Sequence, residues 1–334
     1  MIILGIDTSC DDTSVSIVEN GNKVLSSLLT SSINAHKDFQ GVVPEIAARK
    51  HLESIMYVLD SALKEANCSL DDIDMIAVTN RPGLLGSLLV GVSTAKALSF
   101  SLSKPLIAID HIAAHIYSPH LSQDIEFPYI ALVVSGGHTI LTEVEDYGVY
   151  KLIGTTLDDA VGEAYDKVAK SLNLGYPGGP IIDKLAKEGQ LGAIEYPIIL
   201  LNGVDKYNFS YSGLKTACIH STEKYLKDGY EINSENISLA FQVSAIEPLY
   251  LKTLEYVKES GINRVTLSGG VACNSYLRER FSNSNDFECY LPELKYTTDN
   301  AAMVAGLAYH LREEVSDFSL DCFSRVLSKK YNRK

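Results

Sequence analysis

The sequence repeats one pattern, in which an apolar run typical of a buried strand ends in serine and two glycines. The pattern occurs at residues 129–137 and again at residues 264–270, and a similar apolar run opens the chain at residues 2–9. Glycines just after a buried strand let the backbone approach a ligand closely, and free N–H groups there can bind phosphate oxygens. We therefore predict a nucleotide-binding protein built from two related halves.

The apolar patterning predicts the same order of elements in both halves: three strands, a helix, a strand, a helix, a strand and a helix. The predicted strands are 2–7, 13–19, 23–31, 74–79 and 105–109, then 129–134, 139–145, 149–155, 264–267 and 287–291. The predicted helices are 44–66, 83–101 and one from His111, then 237–259, 272–281 and one from Asp299. This order is that of the ribonuclease-H-like unit. Two such lobes facing a central cleft make the actin-like, or sugar-kinase-like, ATPase fold, an α/β architecture.

We place the boundary between the lobes after residue 127, so that the second lobe covers residues 128–334. Its last helix is a candidate to pack back on the first lobe. The second half also carries an insertion of about eighty residues, 157–236, that the first half lacks. Long insertions in one copy commonly carry binding functions, so we expect the substrate to bind there.

The charge of the chain restricts its partners. A formal net charge of −13 disfavours nucleic-acid binding by this chain alone. The last ten residues differ, because they carry five positive charges and no acid. This tail is either a solvated terminus or a contact for RNA.

Cysteine usage and hydropathy favour a cytoplasmic protein. The six cysteines form no CxxC pair, which favours reduced thiols over disulfides. No signal-peptide pattern is visible at the N-terminus. The longest apolar stretch, 83–100, includes Ser87, Ser93, Thr94 and Lys96. We therefore expect a buried or partner-facing helix there rather than a membrane span.

His111 and His115 follow a predicted strand and are four residues apart. A helix would place both imidazoles on one face, where they could bind one metal ion. The pair lacks the glutamate of the common zinc-protease motif, and taken alone it is more often two ordinary helix residues. Asp299 begins a helix in the second half at the position that His111 has in the first. Two imidazoles and a carboxylate suit Fe(II) or Zn(II), so we predict one divalent ion held between the lobes, although Asp299 could also act as a helix N-cap.

Seven motifs together resemble one protein family. They are GIDTSCDDTS at 5–14, GVVPEIAARKH at 41–51, RPGLLGS at 81–87, DHIAAH at 110–115, VSGGHT at 134–139, YPGGP at 176–180 and DNAAM at 299–303. On these motifs the chain is identified as a member of the tRNA N6-adenosine threonylcarbamoyltransferases, the TsaD or Gcp family, formerly called O-sialoglycoprotein endopeptidases. The resemblance extends from about residue 5 to residue 313.

The resemblance implies that a threonylcarbamoyl group passes from threonylcarbamoyl-AMP to the N6 amine of the tRNA adenosine beside the anticodon. It implies His111, His115 and Asp299 as metal ligands, with Fe(II) favoured over Zn(II). ATP or ADP is a further candidate ligand. The residues implied to contact substrate and nucleotide are Val133, Val134, Ser135, Gly136, Gly137, Asp166, Gly179, Asp183 and Asn274.

The resemblance also implies two protein partners, a paralogous, metal-free TsaB-like protein and a TsaE-like P-loop ATPase. A homodimer is the alternative for the isolated chain. The predicted helices 44–66 and 84–101 carry more apolar surface than one solvated face needs. Ser87 and Gly91 are four residues apart and would permit close approach of a partner helix. We therefore expect these helices to form the TsaB-like interface, with burial inside the lobe as the alternative.

The donor is a mixed carbamic–phosphoric anhydride with a good leaving group, so placement and charge neutralisation matter more than strong activation of the amine. A proton must leave the amine, and Asp11, Asp12 and His138 are candidate bases. The sequence does not choose among them, and a structural role explains His138 equally well. Asp12 replaces the glutamate of the family and reaches one methylene less far.

Two other functions of the same fold stay as alternatives, an ATP-dependent enzyme and a small-molecule O-carbamoyltransferase. ATPases of this fold bind Mg²⁺ through carboxylates and water and have no use for a histidine pair. O-carbamoyltransferases normally carry an additional C-terminal domain. A non-catalytic paralogue, a third reading, would lack the metal residues.

Overall fold

The computed structural model describes residues 1–227 and 233–325. The strands are β1 (Ile2–Asp7), β2 (Asp12–Glu19), β3 (Lys23–Ser31), β4 (Met75–Arg81), β5 (Leu106–Asp110), β6 (Tyr129–Val134), β7 (Thr139–Asp146), β8 (Val149–Thr155), β9 (Arg264–Ser268) and β10 (Glu288–Tyr290). The helices are α1 (Ile33–His36), α2 (Pro44–Glu65), α3 (Leu85–Leu102), α4 (His111–Tyr117), α5 (Val161–Ser171), α6 (Gly178–Ala186), α7 (Ser212–Lys227), α8 (Ser234–Ser260), α9 (Ser275–Ser282) and α10 (Ala301–His310). Apart from Arg325, the basic tail lies outside the described residues.

The chain divides into two compact units by its internal contacts. Unit 1 comprises Met1–Ile125, Asp146–Val149 and the described residues from 292 onward. Unit 2 comprises Glu126–Glu145 and Tyr150–Leu291. The division differs from the sequence boundary after residue 127, because the segment that begins at residue 292 belongs to unit 1.

Each unit contains a five-stranded mixed sheet with the same arrangement. In unit 1 the order is β3-β2-β1-β4-β5, in which β1 pairs antiparallel with β2 and parallel with β4. In unit 2 the order is β10-β9-β6-β7-β8, in which β6 pairs antiparallel with β7 and parallel with β9. Strands β1, β4 and β6 are almost wholly buried, as expected for strands covered by helices on both faces. The parallel strands of each sheet end at one edge, where ligands bind in open α/β sheets.

Helix α10 packs within unit 1, the position for which the last helix was a candidate from the sequence. Residues Ala301–Ala308 are all buried, and the helix contacts β1, β2 and α4. The approach is close, since a Cβ added at Gly5 in β1 would lie 2.3 Å from the carbonyl oxygen of Ala301. The small residues of the segment AAMVAGLA allow this approach, so its apolar character reflects a core position against the first sheet.

Gly91 and Ser87 face the interior of unit 1, which contradicts their expected place in a partner interface. A Cβ added at Gly91 would lie 2.4 Å from the hydroxyl oxygen of Thr8, and the carbonyl of Ser87 accepts a hydrogen bond from that hydroxyl at 2.8 Å. Both residues are buried. Helical spacing alone could not say which face of α3 turns inward, because both faces are apolar. By length and composition α3 could cross a membrane, a test that the core helix of a soluble protein also passes.

Candidate metal centre and nucleotide cavity

The predicted metal ligands come together in unit 1. His111 and His115 lie on one face of α4, and their Nε2 atoms are 3.5 Å and 3.1 Å from Oδ1 of Asp299. The three ligand atoms lie within 4.8 Å of one another. Both histidines are buried, whereas 27% of the Asp299 side chain is exposed. The cluster is therefore open on the side of the carboxylate.

All three of these residues belong to unit 1, so the expectation of ligands drawn from both lobes was wrong. Asp299 directly precedes Asn300, and it is Asn300 that caps α10 by accepting a hydrogen bond from the Met303 N–H at 3.0 Å. The Asp299 carboxylate thus points to the histidines rather than serving as the cap that the sequence also suggested.

Two further residues orient His111. Its Nδ1 lies 3.2 Å from Oδ2 of Asp7, the last residue of β1, and 3.2 Å from Oγ of Ser9, two residues further on. A proton on Nδ1 leaves the Nε2 lone pair free for a metal ion, and a carboxylate behind the ring is the usual second partner of a metal-bound histidine. Asp110 fixes the start of α4, because its Oδ1 accepts hydrogen bonds from the N–H groups of Ile112 and Ala113 at 3.0 Å and 3.2 Å.

The charged groups of the cluster shift one another's pKa values. Burial lowers the pKa of His111, but Asp299 and Asp7 outweigh this effect and raise it well above its ordinary value. Burial, together with the neighbouring His111, lowers the pKa of His115. Although burial opposes the shift, the histidines hold the pKa of Asp299 well below its ordinary value. An ionised carboxylate beside two convergent imidazoles, one oriented from behind, fits a divalent transition metal.

Unit 2 contains a cavity of about 430 Å³ at the ends of β6 and β9. Five of the predicted contact residues line it, namely Gly136, Asp166, Gly179, Asp183 and Asn274. The cavity is large enough for a small-molecule ligand.

The polar lining residues are held in place by neighbouring elements. Asp166 accepts a hydrogen bond from the Gly178 N–H at 2.7 Å, and Asp183 accepts one from the Ser275 hydroxyl at 2.8 Å. Asn274 donates to Oε1 of Gln242 at 2.7 Å. These bonds connect α5, α6, α8 and α9, so the walls of the cavity are preformed.

The other predicted contact residues occupy different positions. Val133 and Val134 are completely buried in β6 and do not line the cavity. Ser135 closes the turn after this strand, because its N–H donates to the carbonyl of His138 at 2.8 Å and its Oγ accepts from the His138 N–H at 3.1 Å. Gly137 is exposed in the same turn. His138 therefore has a structural role in this turn, one of the two roles that the sequence allowed.

The glycines around the cavity fall into two groups. At Gly162 and Gly178 an added Cβ would lie within 2.7 Å of neighbouring atoms, so packing requires glycine there. At Gly136, Gly179 and Gly270 an added Cβ would meet no atom within 4 Å. The protein itself gives no steric reason for glycine at these three positions, and each of them lines the cavity. A ligand that lies against the backbone is a sufficient reason.

Several lining residues were missed by the sequence analysis. Tyr165, Lys184 and Lys187 line the cavity, and two lysines suit a ligand with phosphate or carboxylate groups. Lys187 follows Asp183 by four residues, and its Nζ lies 3.8 Å from Oδ2 of Asp183. This helical spacing could have indicated Lys187, whereas Lys184 directly follows Asp183 and has no such spacing. Tyr165 gave no such signal. Asp7 and Ser9 were within a quoted motif, but nothing in the sequence placed them behind His111.

Asp11 lies on the turn between β1 and β2, and Asp12 is the first residue of β2. Burial raises the pKa of Asp12 to about 7, and the nearby acids Asp11, Asp299 and Asp7 add to this effect. A carboxyl group that titrates near neutral pH suits proton transfer. His138 belongs to unit 2, so the three candidates are distributed over both units.

The fold and these two sites define a class of protein, a duplicated α/β chain with a cavity lined by glycines and a separate cluster of two histidines and a carboxylate. Comparison with known structures confirms the predicted actin-like ATPase fold. HypF from T. kodakarensis matches with a TM-score of 0.64 at 13% identity, over 94% of this chain and 48% of that one. At this level of identity the likeness shows the fold alone.

Comparison with known sequences is more specific. The family described as TsaD, tRNA N6-adenosine threonylcarbamoyltransferase, matches residues 23–306. A relative of that name from Brachyspira hyodysenteriae is 77% identical, over 100% of this chain and 98% of its own length. Another from Treponema denticola is 48% identical, over 98% of this chain and 97% of its own. The chain belongs to the tRNA N6-adenosine threonylcarbamoyltransferase family, and it is a transferase that modifies a tRNA adenosine at N6.

Proposed function

We propose that the donor is threonylcarbamoyl-AMP and that its nucleotide part binds in the cavity of unit 2. The observation that carries this proposal is the set of three cavity glycines whose missing Cβ atoms leave open space. Backbone at these positions can approach the phosphate, while Lys184 and Lys187 offer positive charge. Asp166 and Asp183 are suitable acceptors for ribose hydroxyl groups.

We further propose that His111, His115 and Asp299 bind one Fe(II) ion, with Zn(II) as the second choice. Mixed imidazole and carboxylate ligands with open positions are typical of both metals. When bound, such an ion supplies positive charge to oxygen atoms of the reacting groups. Asp7 supports the site by orienting His111.

In the proposed reaction the N6 amine forms a bond to the carbamoyl carbon of the donor. The bond between that carbon and the phosphate oxygen breaks, AMP leaves with the electron pair, and the amine loses one proton. The chain supplies placement of the two reactants and an acceptor for this proton. Of the three candidates, we propose Asp12, because its pKa of about 7 matches that task.

A proton acceptor of this kind predicts a specific pH dependence. The reaction rate should rise about tenfold per pH unit below pH 7 and level off above it, since only ionised Asp12 accepts the proton. Asp12→Asn should remove this limb, whereas Asp12→Glu, which restores the family residue, should retain it. Rates measured from pH 5.5 to 9 with saturating donor test this, and an unchanged limb in Asp12→Asn would assign the base to Asp11 or His138.

The same pKa predicts an opposite effect on stability. Because the pKa of Asp12 is higher in the folded protein than the ordinary value of 3.8, the folded state binds more protons between these two pH values. The contribution of Asp12 to stability therefore falls as pH rises from about 4 through 7. Asp12→Asn should lose this dependence, which denaturant titrations at several pH values can measure.

We propose that the exposed faces of α2 and α3 bind the TsaB-like partner. Leu52 and Met56 on α2 are 71% and 61% exposed, and Leu85 and Leu89 on α3 are 57% and 56% exposed. The two helices contact each other, and Phe318 extends the surface by packing its ring edge-on against Phe100. A contiguous apolar surface of this kind is typical of a protein interface. A paralogue of the same fold could contribute two equivalent helices.

Single substitutions that introduce an aspartate on α2 or α3 test the proposed interface. Leu89→Asp and Leu52→Asp should each weaken pairing with the paralogous partner by at least about tenfold, because an unpaired charge would be buried. Val204→Asp is the matched control, since Val204 is a fully exposed apolar residue of unit 2. Pairing is measured by sedimentation or size-exclusion chromatography, with thermal melting to confirm folding. Pairing of Leu89→Asp and Leu52→Asp as strong as that of Val204→Asp and of the wild type would contradict the proposed surface.

We propose that a TsaE-like ATPase completes the system and that the protein acts in the cytoplasm, where its thiols stay reduced. None of the six cysteines, all of which lie in the part of the chain that the structure describes, forms a disulfide. The proposal as a whole is tested by supplying the purified chain and both partners with threonylcarbamoyl-AMP and tRNA. Formation of threonylcarbamoyladenosine in the tRNA is the expected result.

A further inference from the structure

Two buried histidines outside the metal cluster connect to the turn that carries Asp11 and leads into Asp12, the first residue of β2. His36, in α1, and His51, in α2, are both 0% exposed. Each ring has both nitrogens engaged by polar atoms. A fully buried histidine costs desolvation unless its nitrogens are paired, and here the pairing leads in both cases to a carbonyl oxygen of the same turn.

His51 holds the carbonyl of Cys10. Its Nε2 lies 3.0 Å from that oxygen, and its Nδ1 lies 2.8 Å from the hydroxyl oxygen of Thr13. A carbonyl can only accept, so Nε2 carries the proton and donates. Burial lowers the pKa of His51, which keeps the ring neutral. Nδ1 therefore accepts from the Thr13 hydroxyl, whose oxygen also lies 2.9 Å from Oγ of Ser54.

His36 holds the carbonyl of Asp11 through a serine. The N–H of Val43 donates to Nδ1 of His36 at 3.3 Å, so Nε2 carries the proton and donates to Oγ of Ser32 at 3.0 Å. The Ser32 hydroxyl then donates to the carbonyl oxygen of Asp11 at 2.7 Å, and the Ser32 N–H donates to the same oxygen at 3.2 Å. Val43 is the residue that precedes α2.

The two chains of hydrogen bonds restrain consecutive peptide groups. The carbonyls of Cys10 and Asp11 precede the side chains of Asp11 and Asp12, and a rotation of either peptide would redirect a carboxylate. One series of hydrogen bonds begins at His51 in α2, and the other begins at Val43, the residue directly before α2. Both are therefore anchored to the same rigid helix. Fixed dipoles and fixed side chains lower the cost of reaching a reactive geometry.

We propose that His36 and His51 are positioning residues that clamp the Cys10–Asp12 turn and so hold the carboxylate that accepts the amine proton. This inference rests on the proposed function of that turn. Among the described residues, the hydrogen-bond partners of the two rings include no metal ligand, and neither histidine lines the cavity of unit 2.

The test uses His51→Leu and His51→Gln in the chain assembled with its partners. The amide nitrogen of glutamine reaches about as far as Nε2 and can donate to the Cys10 carbonyl, whereas leucine cannot. His51→Leu should lower kcat by about 10²-fold, as expected when a reacting group is misplaced by about 1 Å. The KM for the donor and the metal content should change little. His51→Gln should recover at least about a tenth of the wild-type kcat.

The matched control is His120→Leu. His120 is a buried histidine of the same unit, 5% exposed, and it packs on the ring of Tyr117 far along the chain from the turn. It should lower stability without a comparable loss of kcat. A second, milder variant, Thr13→Val, keeps the side-chain shape and removes the hydroxyl that donates to Nδ1, so the proposal can still be tested if His51→Leu does not fold.

Amide hydrogen exchange provides a readout that does not need activity. Exchange at residues 10–13 should accelerate in His51→Leu and Thr13→Val but not in His120→Leu, since exchange reports local opening. A kcat loss no larger than that of His120→Leu, or unchanged exchange in the turn, would overturn the proposal. If the wild-type assembly made no modified nucleoside, the proposed donor would be wrong, while the exchange result would still decide whether the clamp exists.

Discussion

The double substitution His111→Ala and His115→Ala is expected to abolish stoichiometric binding of a divalent metal while the chain stays folded. Two of the three convergent ligands are lost, and Asp299 alone cannot hold the ion. Transfer activity should fall by at least about 10²-fold, because preorganised positive charge at a reacting centre is worth that much or more. Elemental analysis of the purified protein and the tRNA modification assay measure the two effects.

The chain offers a matched control for this experiment. His120 and His310 are two further histidines of unit 1 whose rings pack against Tyr117. The double variant His120→Ala and His310→Ala loses the same number of imidazoles but leaves the cluster intact, so its metal content should stay at one ion per chain. Undiminished metal in the first variant would contradict the assigned ligands. Equal loss in both variants would point to non-specific binding by histidine.

Gly179, which lines the cavity, and its neighbour Gly178 are expected to respond in opposite ways to the same substitution. A Cβ at Gly179 meets open space, and leucine also favours the helix that glycine disfavours. Gly179→Leu should therefore leave the melting temperature unchanged or higher while it weakens donor binding by at least about tenfold. A Cβ at Gly178 would lie 2.6 Å from Cβ of Ala169, so Gly178→Leu should destabilise the fold.

Calorimetric titration with threonylcarbamoyl-AMP or a non-reactive analogue measures the binding. Gly41→Leu is the control, because a Cβ there also meets nothing within 4 Å but lies in unit 1. It should bind the donor as the wild type does. Normal binding by Gly179→Leu would show that the cavity holds a different ligand or none.

Sequence patterning predicted the elements well because their apolar periods are strong. The strand at 2–7 and the helix beginning at Pro44 have the predicted bounds almost to the residue. The family and its activity were also predicted correctly, since seven spaced motifs are far more specific than any single one.

The errors have a common physical cause. Helical periodicity shows that α3 has two apolar faces, but only packing shows that Gly91 turns towards Thr8 and Leu89 towards solvent. Likewise, the repeat assigned Asp299 to the second lobe. The last helix was a candidate to pack on the first lobe, but only the contacts of α10 with the first sheet show that it does so. Tertiary contacts determine which face of α3 is buried and which sheet α10 packs against, and these contacts cannot be inferred from a single sequence.

Side-chain partners were the least predictable feature of the site. Asp7 supports His111 from a different strand, and His51 reaches Cys10 across forty-one positions of the chain. Each of these contacts depends on the direction in which a histidine ring points and on the position of the group that it meets. Neither residue spacing nor composition specifies these. Lys187, by contrast, could have been found from its spacing of four residues to Asp183.

The central claim is that this chain transfers threonylcarbamoyl from threonylcarbamoyl-AMP to tRNA with the help of a metal held by His111, His115 and Asp299. The most direct test combines the purified chain, its two proposed partners, the donor and tRNA, and quantifies threonylcarbamoyladenosine by mass spectrometry of the digested tRNA. We expect the modified nucleoside with the wild-type chain loaded with Fe(II), and at most about a hundredth of that amount with His111→Ala and His115→Ala. Equal product from both chains, or no product from the wild type, would contradict the account.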